Sequence, residues 1–89
     1  MLDRRLALDP QVALRPEPFG ALAYHYGNRR LIFLRHPDVV GVVRALDGDA
    51  TVTDALRAGG IDESRWPSFV RALESLLDSG VLREPVLAG

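Results

Sequence analysis

In the first third of the chain, bulky apolar residues recur at every second position, a period typical of β-strands. The alternation is clearest over residues 22–26, and Gly27 and Asn28 follow it as residues that tolerate a positive φ in a tight hairpin. We expect a short edge strand that ends before Pro16, because proline cannot donate a ladder hydrogen bond. The predicted strands span residues 12–15, 20–26 and 30–34.

Farther along the chain, apolar residues recur at intervals of three and four, which is typical of amphipathic helices. Residues 47–49 (Asp-Gly-Asp) are expected to break the first helix, and Thr51 and Asp54 have the spacing of a capping box for the second. Ser64 is the expected N-cap of the third helix, which Gly80 ends. The predicted helices span residues 37–46, 52–58 and 64–79.

Strands followed by helices predict an α+β fold rather than a parallel α/β sheet. We expect one domain over residues 1–89, with a small three-stranded antiparallel sheet, three helices and a short extended tail over residues 81–87. A tight Gly-Gly turn between the last two helices is typical of winged helix-turn-helix variants.

The composition is that of one ordinary globular domain, with 89 residues, 47% hydrophobic and 26% charged. A chain of this length has little room for a deep substrate cleft. It contains no cysteine, which excludes disulfides, thiolate metal sites and a cysteine nucleophile. No stretch approaches the roughly 20 apolar residues that span a bilayer, so we expect a soluble cytoplasmic protein that does not bind membranes.

The residues that commonly carry chemistry are few and scattered. The two histidines, His25 and His36, have no partner at metal-ligand spacing, and we interpret them as a strand-surface residue and a helix N-cap. No Gly-x-Ser-x-Gly motif is present, and the serines fall on or near the third helix. We therefore predict no catalytic residue, no metal site and no enzymatic activity.

A helix-turn-helix arrangement suggests DNA binding, which is the alternative function. The charge argues against it, since the net charge is -1 and the third helix mixes arginines with acidic residues. DNA affinity depends on a basic face that neutralises phosphates. The prediction is therefore no nucleic-acid partner.

The predicted third strand is unusual because it is apolar on both faces and flanked by arginines. At a sheet edge it would offer unpaired backbone groups to an extended peptide, or to the same edge of a second copy in a homodimer. Alternatively, its apolar side chains pack under the N-terminal segment and its arginines are solvated. The residues concerned are Arg29, Arg30, Leu31, Ile32, Phe33, Leu34 and Arg35.

The first 35 residues resemble a known family, and this resemblance favours binding of an extended peptide at the predicted third strand. Their longest specific string is Val12-Ala13-Leu14-Arg15-Pro16-Glu17-Pro18-Phe19-Gly20. This region closely resembles the peptide chaperones of mycofactocin biosynthesis, and the rest of the chain agrees loosely in pattern. That family belongs to the PqqD-like recognition elements of ribosomally synthesised, modified peptides (RiPPs).

The resemblance implies a non-catalytic adaptor that binds a small precursor peptide and presents it to a radical S-adenosylmethionine (SAM) maturase. The iron–sulfur cluster and the S-adenosylmethionine would belong to that enzyme, so no cofactor is expected here. Related domains hold the peptide as an added strand between their third strand and third helix. That surface corresponds to the seven strand residues above and to Phe69, Val70, Leu73 and Leu77.

Overall fold

The computed structural model describes residues 1–85, so the last part of the predicted tail, Val86 and Leu87, lies outside the described residues. Its strands are β1 (Arg5–Leu8), β2 (Val12–Glu17), β3 (Gly20–His25), β4 (Leu31–Leu34), β5 (Asp47–Thr51) and β6 (Leu82–Arg83). Its helices are α1 (Pro37–Ala45), α2 (Val52–Ala58) and α3 (Trp66–Ser79), with a 3-10 turn at Glu63–Arg65. The predicted α+β class is confirmed.

The predicted three-stranded sheet is present as an antiparallel meander with the order β2-β3-β4. Leu14, Ala23 and Ile32 lie opposite one another in its register, so they share the inner face of the sheet. Gly20 has a φ of 148°, and a Cβ there would clash with the carbonyl oxygen of Leu34. Glycine is therefore required where β3 begins beside the end of β4.

A second antiparallel sheet, with the order β5-β1-β6, was not predicted. Residues 47–49 end α1 as expected, but they also belong to β5, which pairs with β1. The Asp47 carboxylate accepts backbone hydrogen bonds from Asp49 at 2.9 Å and Ala50 at 3.0 Å. The hydrogen bond from Ala50, and to a smaller extent the one from Asp49, lowers the pKa of Asp47, because both stabilise the charged carboxylate.

The helix ends follow the predicted capping chemistry at α2 but not at the start of α3. Thr51 and Asp54 form the capping box of α2. Ser64 is not an N-cap; it lies inside the 3-10 turn, where its N–H donates to Asp62 at 2.9 Å. The side-chain and backbone hydrogen bonds of Ser64 lower the pKa of Asp62. At the other end of α3, Gly80 adopts the left-handed conformation that closes the helix.

The core lies between the two sheets and the three helices. Phe69, Leu73 and Leu76 form the buried stripe of α3. They belong to one apolar cluster with the inner faces of α1 and α2 and with Leu6 and Leu82 of the second sheet. Within the described residues, no helix has the length and apolar character needed to cross a membrane.

Leu73→Ala tests this core, because the Leu73 side chain is fully buried. We expect the free energy of unfolding to fall by about 2–5 kcal/mol, from lost burial and the cavity left behind. The same substitution at Leu31, which is 52% exposed, is the matched control and should cost less than about 1 kcal/mol. Urea unfolding measures both, and equal losses would contradict the assignment of Leu73 to the core.

Candidate functional site

Strand β4 has a free edge. It pairs with β3 on one side, and no strand of the described chain lies on its other side. In an antiparallel ladder, successive residues direct their backbone groups alternately toward and away from the neighbouring strand. Because His25 donates its N–H to the Arg30 carbonyl at 2.9 Å, Ile32 and Leu34 bond toward β3. The backbone groups of Leu31 and Phe33 therefore point to the free edge.

The opposite edge of the meander, on β2, is largely closed. The same alternation directs the backbone of Leu14 and Pro16 outward, and the N–H of Val12 is already bonded to Asp9 at 2.9 Å. Pro16 has no N–H to offer at an outward position. The prediction that the strand stops at Pro16 is wrong for this reason, and β2 continues to Glu17. The meander thus offers one open edge, on β4.

The side chains of β4 divide between the two faces of the sheet. Leu34 is buried and Ile32 packs against the core, so both face inward. Leu31 and Phe33 are 52% and 53% exposed on the opposite face. The strand is therefore apolar on both sides, as its sequence indicated, but a packed core covers only one of them.

A groove of about 320 Å³ lies between β4 and α3. From the helix, its wall is made by Ala72, Ser75 and Leu76. The remaining lining residues are Ile32, Phe33, Leu34, Arg35, His36 and Val39. Small side chains at Ala72 and Ser75 leave space beside the free edge of β4.

The four predicted α3 residues do not line this groove. Phe69 and Leu73 are buried in the core. Val70 lines a different cleft of about 810 Å³ near Met1 and Trp66, and Leu77 lines a third cleft beside Arg4 and Glu74. The α3 residues missed by the sequence analysis are Ala72, Ser75 and Leu76. Ala72 and Ser75 are small and lie next to the core stripe, so a search for bulky apolar residues passes over them.

The predicted arginines flank β4 at both of its ends, with exposed side chains. Arg29 and Arg30 are exposed in the β3–β4 loop, and Arg35 lies 6.0 Å from the ring centre of Phe33. None of the three arginines forms an ion pair within residues 1–85. Residues 11–36 contain four arginines and one acidic residue, Glu17, although the whole chain has a net charge of -1. The surroundings of the open edge are therefore locally basic.

The β3–β4 loop is anchored by His25, which is buried rather than on the strand surface as expected. Its Nδ1 accepts the N–H groups of Gly27 at 3.0 Å and Asn28 at 3.1 Å, and its Nε2 lies 3.8 Å from the Asp9 carboxylate. Asn28 in turn donates to the carbonyl of Ser79, at the end of α3, at 3.2 Å. These contacts tie the hairpin that carries β4 to the helix across the groove.

The loop geometry also differs from the predicted tight turn. The positive φ falls on Arg29, at 60°, and not on Gly27 or Asn28. His25 and Arg30 close a loop of four residues instead of two, because the His25 imidazole holds the N–H groups inside the loop. Within residues 1–85, no cluster of three or more His, Asp or Glu side chains is placed to bind a metal ion.

Comparison with known proteins identifies the family. The sequence model described as the peptide chaperone MftB family matches residues 5–83. The chain belongs to this family. A protein named peptide chaperone MftB from Mycobacterium ulcerans (strain Agy99) is 46% identical over 80 residues, which cover 90% of this chain and 73% of that protein.

Two further MftB proteins are similar over most of the chain. The peptide chaperone MftB of Mycobacterium tuberculosis (strain ATCC 25618 / H37Rv) is 42% identical over 80 residues, or 90% of this chain and 73% of its own. That of Mycolicibacterium smegmatis (strain ATCC 700084 / mc(2)155) is 44% identical over 75 residues, or 84% and 74%. No solved structure matches the chain significantly. The resemblance found in the sequence is thus confirmed, and it extends through α3.

His25→Ala tests whether the imidazole holds the loop of this MftB-family chain. It leaves the N–H groups of Gly27 and Asn28 without their acceptor, and we expect a loss of about 1–3 kcal/mol in the free energy of unfolding. His25→Asn is the matched variant, since an asparagine oxygen also accepts N–H groups two residues ahead. Urea unfolding should show a smaller loss for His25→Asn, and equal losses would contradict the acceptor role.

Proposed function

We propose that this MftB-family chain is a non-catalytic chaperone that binds the mycofactocin precursor peptide and delivers it to a radical SAM maturase. The peptide binds as an added strand on β4. The observation that carries this proposal is the open edge of β4 beside a groove, in a meander whose other edge is closed at Pro16.

Strand addition accounts for both the free backbone groups of β4 and the groove beside them. The free backbone groups of Leu31 and Phe33 supply main-chain hydrogen bonds, which give affinity without selecting a sequence. Alternate side chains of the peptide enter the groove against Ile32, Ala72 and Ser75, and these contacts select the sequence. The other side chains of the peptide lie on the opposite face of the sheet.

The basic surroundings supply a second element of selection. Arg29, Arg30 and Arg35 are free of ion pairs within the described chain and stand at both ends of β4. Guanidinium groups form strong charge-assisted hydrogen bonds with carboxylates. A precursor segment that carries acidic residues on either side of an apolar stretch fits this arrangement.

The chemistry of maturation is assigned to the partner enzyme. The iron–sulfur cluster and the S-adenosylmethionine are proposed to belong to the maturase, and this chain takes no cofactor. It acts in the cytoplasm, by holding the peptide. Pairing of two β4 edges in a homodimer stays a prediction, and such a dimer would use the same backbone groups as the peptide.

Ser75→Tyr tests the groove, because Ser75 is exposed on α3 and a phenol ring there would fill the space beside β4. We expect the Kd for the synthetic precursor peptide to rise at least tenfold, measured by fluorescence anisotropy. Ala58→Tyr, at an exposed position of α2 outside the groove, is the control and should bind like the wild type.

Two results would contradict the proposal. One is wild-type affinity in Ser75→Tyr with an unchanged thermal melt. The other is salt-sensitive binding of duplex DNA by the wild type without any binding of the peptide, which would favour the DNA-binding alternative.

Amide hydrogen exchange tests the direction of the added hydrogen bonds. Leu31 and Phe33 point their backbone N–H groups to the free edge, whereas Ile32 and Leu34 are already bonded toward β3. Saturating peptide should therefore slow exchange strongly at Leu31 and Phe33 and change it less at the other two. Equal protection of all four amides would indicate general stabilisation and contradict strand addition.

A further inference from the structure

The outer face of the β2–β3–β4 sheet exposes most of the large apolar side chains on the surface of the described chain. Five of the six that are exposed lie on this face or at its ends: Phe19, Tyr24, Tyr26, Leu31 and Phe33. They are between 36% and 64% exposed. Together they present about 500 Å² of surface, since such a side chain exposes roughly 150–250 Å² in full. We call this set the outer patch.

The aromatic rings of the outer patch pack against one another. Its rings are packed in two pairs, Phe19 with Phe33 at 5.9 Å and Tyr24 with Tyr26 at 4.9 Å between centroids. A cleft of about 480 Å³ lies between Phe19, Phe33 and Arg35. Side chains that are already held in place lose little conformational freedom on binding.

The charge around the outer patch indicates what it binds. Arg15 projects onto the same face from β2, and Arg35 lies over the Phe33 ring. The acidic residue of this region, Glu17, lies 3.5 Å from Arg15 and offsets part of its charge. Two copies of such a face would bring arginines together, so the rim disfavours self-association. It suits a partner surface with an apolar centre and carboxylates around it.

The size of the outer patch agrees with a transient partner. About 500 Å² on one partner corresponds to an interface near the lower end of the range for specific complexes, below about 1,200 Å² in total. Obligate homodimers bury about 2,000 Å² or more. The patch is also within the range of roughly 300–600 Å² found for functional patches on monomers.

We propose that the outer patch is the docking surface for the modifying enzyme that takes up the peptide, and that this enzyme presents an acidic surface with an apolar centre. This inference rests on the proposed function. A peptide added to β4 extends the same sheet and leaves the β2 and β3 parts of the outer face uncovered. Peptide and enzyme therefore bind at the same time, with the peptide beside the enzyme surface.

The double variant Arg15→Glu, Tyr24→Ser tests this surface away from the peptide. Tyr24 is on β3 and Arg15 on β2, about 10 Å and about 14 Å from an added strand at ordinary strand spacing. We expect the Kd for the purified radical SAM maturase to rise at least tenfold by biolayer interferometry. The Kd for the precursor peptide should stay within twofold of the wild type.

Arg71→Glu is the control, since Arg71 is exposed on α3 and lines another cleft. It reverses the charge of one side chain, as Arg15→Glu does, and should bind the maturase like the wild type. Tyr24→Ser alone, which changes no charge, should still weaken maturase binding. Raised salt should slow association of the wild type more than that of the double variant.

Each outcome decides the inference. Unchanged maturase affinity in the double variant, equal weakening in Arg71→Glu, or a wild type that binds the peptide but not the maturase would overturn it. A wild-type dimer that the double variant abolishes in sedimentation would assign the patch to a second copy and also overturn it. A wild type that binds the maturase through the patch but not the peptide would support it and overturn the proposed function instead.

Discussion

The hydrogen bonds around His25 determine where the open edge of β4 stands relative to α3. The imidazole holds the loop after β3, and Asn28 from that loop donates to the last turn of α3 at Ser79. Asp9 approaches the other side of the ring from the β1–β2 connection. Three separate parts of the chain are therefore linked through His25 and Asn28, which tie the hairpin of β4 to the end of α3.

The two edges of the meander differ for reasons that lie in single residues. On β2, Pro16 occupies an outward position at which a ladder would need an N–H, and the turn from Asp9 uses the N–H of Val12. On β4, no proline interrupts the strand, and Pro37 appears only at the start of the next helix. A bare strand edge usually invites aggregation, and natural proteins cover or block most of them. The open edge of β4 beside the groove is the feature on which the proposed strand addition rests.

The sequence predicted the elements with strong local signals and missed those that depend on distant contacts. Alternation revealed β3, and the three-four spacing with Gly80 revealed α3. Strands β1 and β5 were missed, and β6 was expected only as part of an extended tail, because they have four, five and two residues and pair with strands that are far away in the sequence. Residues 47–49 look like a simple helix break because their strand partner is some 40 residues away in the sequence. Short strands of this kind are defined by pairing more than by propensity.

The candidate site was predicted on its strand side and only approximately on its helix side. The apolar run of β4 is visible in the sequence because a strand that is apolar on both faces is unusual in a small sheet. On α3, the broad apolar stripe does not reveal which flank faces β4, and the groove wall is made by Ala72, Ser75 and Leu76 rather than by the four predicted helix residues. His25 was misjudged because burial of an imidazole depends on backbone partners that only the folded loop supplies.

The outward position of Pro16 also limits how many chains can join through this sheet. A sheet with two open edges can act as a link in a growing ribbon, since each added strand leaves room for another molecule on the far side. In this meander another strand can be added only at β4, so a molecule joined through this sheet offers no second edge to a further molecule. One proline therefore makes the two edges of the meander unequal and keeps the sheet from being extended on both sides.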